Sequence, residues 1–563
     1  MDAYARDAGL TEYERADRAK RERKWMVTWT EAKLLLIAST GFFIDAYDLF
    51  AINLVVPMLN YEYNGGRLSS SITGIVLKGG VLKAAANLGC IVGQIMFGLL
   101  GDVFGRKAIY GKELMVTILG TVLIISVPNS LSTNGVFTWI TCFRVLMGIG
   151  IGGDYPMSAA VVSDRANLNR RGLMLTFIFA MQGWGNFIGA LATMILLVIY
   201  KDTLRNNQNY GHIDSLWRIV TGLILVPCLG TLVQRLMLPE STKFKDVQKM
   251  RNDPNYMNKL NYRVADGGKE ADPEKIQSAG SASDAESDLK KDVTPPTTGA
   301  GEHSGVVAQN VQGEDDGIGA KAVMSKKSEA FKEFSVYFSE WRHLKTLIGT
   351  AGTWFLVDIT FYGISLNQSI VISAIGLNKS TEPWQYLFDN TKANLIIAAA
   401  GFLPGYYLTL FTIEYLGRRP IQIGGFLANA LFLGILAGDF NGLRRKPAAF
   451  VVVFAFLQLS FNFGANATTF VVPAEVFPTR VRGFAHGFSA ACGKCGAVLS
   501  SLAFAELAAS IGTDNVLWIF FGVSLAGAVV SLLIPETKGR DADEIDLQER
   551  REAYRAASQR LTG

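Results

Sequence analysis

The sequence predicts an all-α polytopic membrane protein of twelve transmembrane helices in two sets of six. Three observations carry that prediction. Of the 563 residues, 49% are hydrophobic and only 18% are charged, where a soluble chain carries about 25% charged residues. The apolar residues gather in separate runs long enough to cross a bilayer, which takes about 20 residues per helix. Landmark residues at the ends of those runs then recur in the second half of the chain at nearly the offset they have in the first.

Taken in order, the first half reads as spans near residues 34–59, 79–100, 110–128, 136–160, 173–199 and 217–238, and the second as spans near 347–372, 394–414, 421–438, 447–473, 484–510 and 515–534. Residues 1–33 are charged throughout and show no cleavable signal, so the first run is itself a membrane helix. These spans divide the chain into an N-terminal segment 1–33, a six-helix half 34–238, a polar segment 239–345, a second half 346–537 and a tail 538–563. The stretch from Val264 to Lys327 is rich in Ser, Gly, Asp, Glu and Lys. It cannot bury a core and reads as a disordered linker, open to phosphorylation or ubiquitination with no site singled out.

Basic residues follow every even-numbered span: Arg106, Lys107 and Lys112; Arg165, Arg170 and Arg171; the central segment; Arg418 and Arg419; Arg480 and Arg482; and Arg540. The positive-inside rule then puts both termini and the linker in the cytoplasm. The loop Arg444-Arg445-Lys446 dissents and falls outside, as does Asn378-Lys-Ser380, a glycan-acceptor triplet. The net charge of +5 reports topology rather than a nucleic-acid partner. Five cysteines, an odd number, all in apolar spans, argue against a disulfide framework. Cys492-Gly-Lys-Cys495 has no second pair or nearby histidine and reads as packing, not as a metal site. No phosphate-binding loop, nucleophile and base set or metal cluster stands in the polar segments, so an enzyme and a bound cofactor are the least expected readings.

The internal repeat is made of charges. Asp102-Val-Phe-Gly105-Arg106-Lys107 matches Glu414-Tyr-Leu-Gly417-Arg418-Arg419; Asp164 with Arg170, Arg171 and Gly172 matches Glu475 with Arg480, Arg482 and Gly483; and Pro239-Glu240-Ser241 matches Pro535-Glu536-Thr537. Asp102, Arg106, Glu414 and Arg418 read as a cytoplasmic latch between the halves, or as static helix caps and topology signals.

Charges inside the apolar runs are the candidate functional residues, because Arg, Lys or Asp at a membrane helix centre costs roughly 2.5–3.5 kcal/mol and normally faces a protein interior or cavity. Arg144 and Asp154 lie in Arg144-Val-Leu-Met-Gly148-Ile-Gly-Ile-Gly152-Gly-Asp154-Tyr155-Pro156, and Pro156 should loosen the helix at Asp154 and Tyr155. Ten residues of helix put Arg144 and Asp154 roughly 80° apart, so direct pairing is not expected, and Gly148 and Gly152 should admit a neighbouring helix closely. Asp45 and Asp48, at i and i+3, share a face of the first span. Trp354, Asp358 and Tyr362, at i, i+4 and i+8, share a face of the seventh, and Asn462 and Asn466 a face of the tenth. The indole and phenol are individually as consistent with core or interface packing; the acid between them favours a ligand face. Lys494, in the eleventh span, is a partner for Asp358, an attraction for an anion, or a helix-docking charge.

The loop Gly98-Leu-Leu-Gly101-Asp102-Val-Phe-Gly105-Arg106-Lys107, with the repeat, resembles the major facilitator superfamily, which implies two six-helix halves around one alternating-access site. A narrower resemblance follows. Gly152-Gly153-Asp154-Tyr155-Pro156-Met-Ser158, Met181-Gln182-Gly-Trp184-Gly-Asn186, Asn462-Phe-Gly-Ala-Asn466 and Pro473-Ala-Glu475-Val-Phe-Pro478-Thr479-Arg480-Val-Arg482-Gly483 resemble the phosphate:proton symporters of fungi and plants, although Ala465 and Ala467 stand where that family suggests Pro and Thr. The resemblance implies phosphate contacts at Tyr155, Gln182, Trp354, Asp358, Tyr362 and Asn466 and a fungal plasma membrane, and it supports proton coupling through the neighbouring acids Asp45 and Asp48 with Asp154, for which Arg144, like Lys494 for Asp358, reads as a charge partner. Protonated phosphate offers P–OH to Asp358, whereas fully deprotonated sulfate does not and should be rejected. A symporter of a sugar or organic ion and a phosphate-sensing receptor are the rival readings.

Overall fold

The computed structural model describes residues 29–63, 72–206, 211–252, 332–374 and 380–562. The linker stretch from Val264 to Lys327, nearly all of the first 33 residues and Asn378 lie outside the described residues. Among the described residues, twelve helical spans are long and apolar enough to cross a membrane: α1 Glu31–Tyr63, α2 Gly80–Phe104, α3 Arg106–Ile125, α4 Thr133–Ser163, α5 Leu168–Ile199, α6 His212–Leu236, α7 Trp341–Ser365, α8 Pro383–Leu416, α9 Arg418–Gly438, α10 Pro447–Val476, α11 Thr479–Ile511 and α12 Thr513–Leu533. The protein is a twelve-span membrane protein. Polar helices Thr242–Asn252 and Ala542–Thr562 lie at the end of the bundle where the even spans finish, the basic end.

Local chemistry sets the breaks. Gly105 and Gly417, at φ 98° and 87°, separate α2 from α3 and α8 from α9 in conformations that L side chains rarely adopt. Pro383 and Pro447 stand in the first turns of α8 and α10, where a missing N–H costs nothing. Span α8 begins eleven residues before its sequence expectation because Gln385, Asp389, Asn390 and Lys392 read as loop; Asn390 is nonetheless buried. Pro156 leaves α4 continuous, so the expected loosening takes the form of a tolerated internal proline. By contrast α10 does break, at Phe463 and Gly464 (φ 148°), between Asn462 and Asn466. Those two residues therefore do not share one continuous helical face, yet the break keeps them in contact.

Glycine seams bring helices to backbone contact. A Cβ on Gly148 would lie 2.0 Å from the Ala86 carbonyl oxygen and one on Gly152 2.4 Å from that of Cys90, so α2 is the neighbour that approaches α4. On its other side α2 packs against α11, where a Cβ on Gly487 would meet the Gln94 carbonyl at 2.2 Å. This α2 and α11 seam joins the two halves. At the end opposite the basic one, Asn53 donates to the Ser365 carbonyl at 2.8 Å and Trp384 to that of Leu197 at 2.7 Å. The halves are thus tied along the seam and at the end opposite the basic one.

Candidate substrate and proton sites

Helices from both halves deliver polar side chains to the middle of the bundle. Lys494 of α11 donates to Asp358 Oδ2 at 3.0 Å and to the Tyr362 hydroxyl at 2.8 Å. The ammonium also stands 4.1 Å from the Tyr362 ring centroid and 5.3 Å from that of Tyr155. A chain of hydrogen bonds faces this group: Asn466 donates to the Tyr406 hydroxyl at 3.0 Å and to Asn462 at 2.9 Å, Tyr406 donates to Gln182 Oε1 at 3.2 Å, and Gln182 donates to Tyr155 at 2.6 Å. Both Tyr155 and Tyr362 use their oxygens as acceptors, and the two phenols stand within hydrogen-bonding reach of each other. Asp358 Oδ1 is buried with no hydrogen-bond partner. An anion there would meet hydroxyl and ammonium donors, and a donor on that anion would meet Asp358.

Aromatic rings wall the group towards the basic end. Phe179 and Phe470 stack at 4.7 Å, Phe42 meets Tyr155 edge-on at 5.1 Å, and Trp354 stands edge-on to His486 at 5.4 Å. Gly493 lets the indole in: a Cβ there would lie 2.4 Å from it. All six residues expected to hold substrate are buried and gather here, although Asn466 and Gln182 are engaged with each other's partners. Tyr406 is the member that sequence reasoning missed; a tyrosine in Pro404-Gly-Tyr406-Tyr carries no charge to mark it.

A second group lies wholly within the first half. Arg235 of α6 grips Asp154 with two parallel bonds of 2.9 and 3.0 Å and reaches Glu113 at 3.1 Å. Ser158 donates to Asp154 at 2.6 Å, and the Gly111 N–H donates to both Glu113 oxygens. Asp45 feels Asp154, Arg235 and Glu113 as neighbouring charges, while Asp48 shares a small cavity with Arg144, Trp217 and Thr221. The two α1 acids, about 60° apart on one face, remain neighbours, with Asp48 among the charges around Asp45, and each also stands beside a different cation. One oxygen of each is buried without a partner. Arg144 does not touch Asp154, as the helical geometry predicted; it donates to the Leu82 carbonyl at 3.0 Å. Arg235 and Glu113 were missed. Both lie near the ends of apolar runs, where a charge reads as a topology signal.

The basic end repeats itself in detail. Arg106 pairs with Asp102 at 3.0 Å and Asp164 at 3.3 Å; Arg418 pairs with Glu414 and Glu475, each at 2.8 Å. Asp102 accepts the N–H groups of Gly483 and Phe484 in the first turns of α11, and Glu414 accepts that of Leu173 in α5. Each acid therefore caps a helix of the other half. Glu240 accepts from the Lys107 N–H at 3.1 Å, and Glu536 from those of Arg418 and Arg419 at 3.0 Å. Ser241 donates to Asp164, and Thr537 to Glu475.

A family model described as sugar (and other) transporter matches residues 34–292 and 324–548. The chain belongs to that transporter family. Its members are transporters rather than enzymes. A Schizosaccharomyces pombe protein named for inorganic phosphate transport is 42% identical over 97% of this chain and 93% of its own. An inorganic phosphate transporter of Saccharomyces cerevisiae is 35% identical over 92% of this chain and 84% of its own, and a repressible high-affinity phosphate permease of Neurospora crassa is 32% identical over 92% and 86%. Among solved structures, the major facilitator superfamily proton:xylose symporter XylE superposes with a TM-score of 0.63 at 17% identity, covering 91% of this chain and 98% of that one. The fold of this family member is accordingly the major facilitator fold.

Proposed function

We propose that this transporter imports inorganic phosphate with protons by alternating access. The observation that carries the reading is the Asp358 carboxylate, with one oxygen held by Lys494 and the other unpartnered, beside the phenols of Tyr155 and Tyr362. Phosphate near neutral pH presents both P–OH and P–O⁻, so Asp358 accepts from its hydroxyl while Lys494, Tyr155, Tyr362 and Trp354 donate to its oxygens. Gln182 orients the Tyr155 phenol directly, and Asn466 does so through Tyr406 and Gln182. The names of the fungal relatives support the same substrate.

Asp154, Asp45 and Glu113 face one guanidinium, that of Arg235. Three carboxyls for one cation form a group able to hold exchangeable protons, and Asp48 beside Arg144 extends it along α1. Protons loaded from outside reduce the negative charge of the first half and let the anion stay; their loss inside reverses this. The basic end faces the cytoplasm in this reading, with both termini and the 239–345 segment, where modification would regulate uptake, and the membrane is the plasma membrane. The Asp102 and Glu414 caps then form the inner gate. Uptake of labelled phosphate into proteoliposomes tests the substrate: excess unlabelled phosphate should abolish it while sulfate and xylose leave it unchanged. Equal competition by sulfate would overturn the role of Asp358, and competition by xylose the choice of phosphate.

A further inference from the structure

A cavity of about 450 Å³ opens at the basic end of the second half, well away from the central group, between the start of α7, the ends of α10 and α12 and the C-terminal helix. Its charged lining is unbalanced once existing bonds are counted. Every acid in it is engaged: Glu475 by Arg418 and Thr537, Glu536 by three backbone N–H groups, Asp546 by Arg480, and Glu549 by Arg342. Lys345, Arg419 and Arg540 line the same cavity, and their side chains have no acidic partner among the described residues. Arg419 reaches only the Leu532 carbonyl, at 3.2 Å, and its Nε is buried without a partner.

One stretch of the remaining wall is apolar, made by Phe477, Leu532, Leu533, Ile534 and Ile545. It lies at the membrane boundary, since α7 begins at Trp341 and α12 ends at Leu533. Gly349 of α7 packs against Leu533 and Ile534, and exposed apolar residues flank that seam: Ile348 on one side, Val529 and Leu532 on the other. Trp341 stands exposed at the rim, at the depth an interfacial indole prefers. Three cations whose side chains bind no carboxylate, against one carboxylate, Glu536, held only by backbone N–H groups, leave a positive surplus above an apolar wall that runs out onto lipid-facing helices; this matches a molecule with an anionic head and acyl chains, and basic pockets of this kind bind acidic lipid head groups.

We propose that this cavity is a binding site for an anionic phospholipid, the head group held by Lys345, Arg419 and Arg540 and the chains lying along Ile348, Leu532 and Val529. A bound lipid would bridge α7, α9 and the segment after α12. It is separate from the transported ion, so the site stands or falls independently of the substrate assignment.

Native mass spectrometry of the full-length protein in detergent tests this, with phosphatidylserine and phosphatidylcholine of identical chains and with inorganic phosphate as competitor. Phosphatidylserine should bind and phosphatidylcholine should not, and the combined Lys345→Gln, Arg419→Gln, Arg540→Gln variant should lose affinity on the order of a hundredfold. The Lys345→Gln, Arg540→Gln pair, altering only exposed side chains, should lose an intermediate amount, and exchanging Lys for Arg and Arg for Lys at the three sites should preserve binding. Equal retention of phosphatidylcholine, or affinity changed less than about twofold in both Gln variants, overturns the proposal. Displacement of phosphatidylserine by inorganic phosphate also overturns it, assigning the cations to a soluble anion.

Discussion

The pair of Asp358 and Lys494 concentrates the account into two side chains. Both are buried, so removing one charge strands the other, at a cost of about 3–5 kcal/mol. An Asp358→Asn variant should therefore melt earlier in detergent and take up no phosphate. Adding Lys494→Met removes the stranded charge and should recover most of the stability, with uptake still absent. Recovery of uptake would mean that the pair only docks α7 to α11. The sequence made these residues legible because a charge in an apolar run stands out and i, i+4 spacing assigns it a face. Arg235 carries as much weight but stands one turn from the membrane boundary, where an arginine looks ordinary. Only the fold reveals that Asp154, a full helix away in sequence, lies against it.

At the scale of the element, helix position was legible and helix approach was not. Apolar runs gave all twelve spans, and Gly148 and Gly152 announced a close neighbour without naming α2. Gly41 was silent in the sequence, yet a Cβ there would lie 1.8 Å from Arg235 and 2.0 Å from Asp154. Gly41→Ala should displace that pair, since both partners are fixed by further bonds, and should shift the pH profile of transport along with reducing its rate. Gly230 in α6 and Gly424 in α9 meet nothing within 4 Å. Alanine at either should leave uptake unchanged and stability within about 0.5 kcal/mol or slightly raised. A Gly41→Ala protein with an unaltered pH profile would remove the Arg235 group from the coupling mechanism. The break in α10 had the opposite fate: Phe463-Gly464 has no proline to announce it, and the asparagines were read as one face of a straight helix.

The whole molecule is a duplicated bundle whose halves cap each other's helices, and the duplication was legible because the repeat is written in charges. The sequence suggested that each acid pairs with the bases one turn on and with the positive end of a neighbouring helix; which helix was not legible, and Asp102 reaches the start of α11 and Glu414 that of α5, each in the opposite half. The C-terminal helix adds a further tie. Burial alone would raise the Asp543 carboxyl, but Lys243 and Arg482 beside it outweigh burial and hold it well below its ordinary 3.8. A depressed carboxylate contributes stability that is complete above its unfolded value and fades as pH falls through the folded one. The helix should therefore stay docked down to about pH 4 and release in stronger acid, read by a dye pair between it and Thr242–Asn252. Asp543→Asn should loosen it already at neutral pH; a distance that ignores both changes contradicts the tie.

Coupling of phosphate movement to protons through one enclosed site is the central claim, and labelled phosphate accumulation in proteoliposomes under an imposed pH gradient tests it most directly. With the side corresponding to the outside made acidic, wild-type protein should accumulate phosphate above equilibrium, an uncoupler should collapse that accumulation, and Asp358→Asn should show none. Accumulation that survives the uncoupler, or equilibration with no response to the gradient, would contradict it.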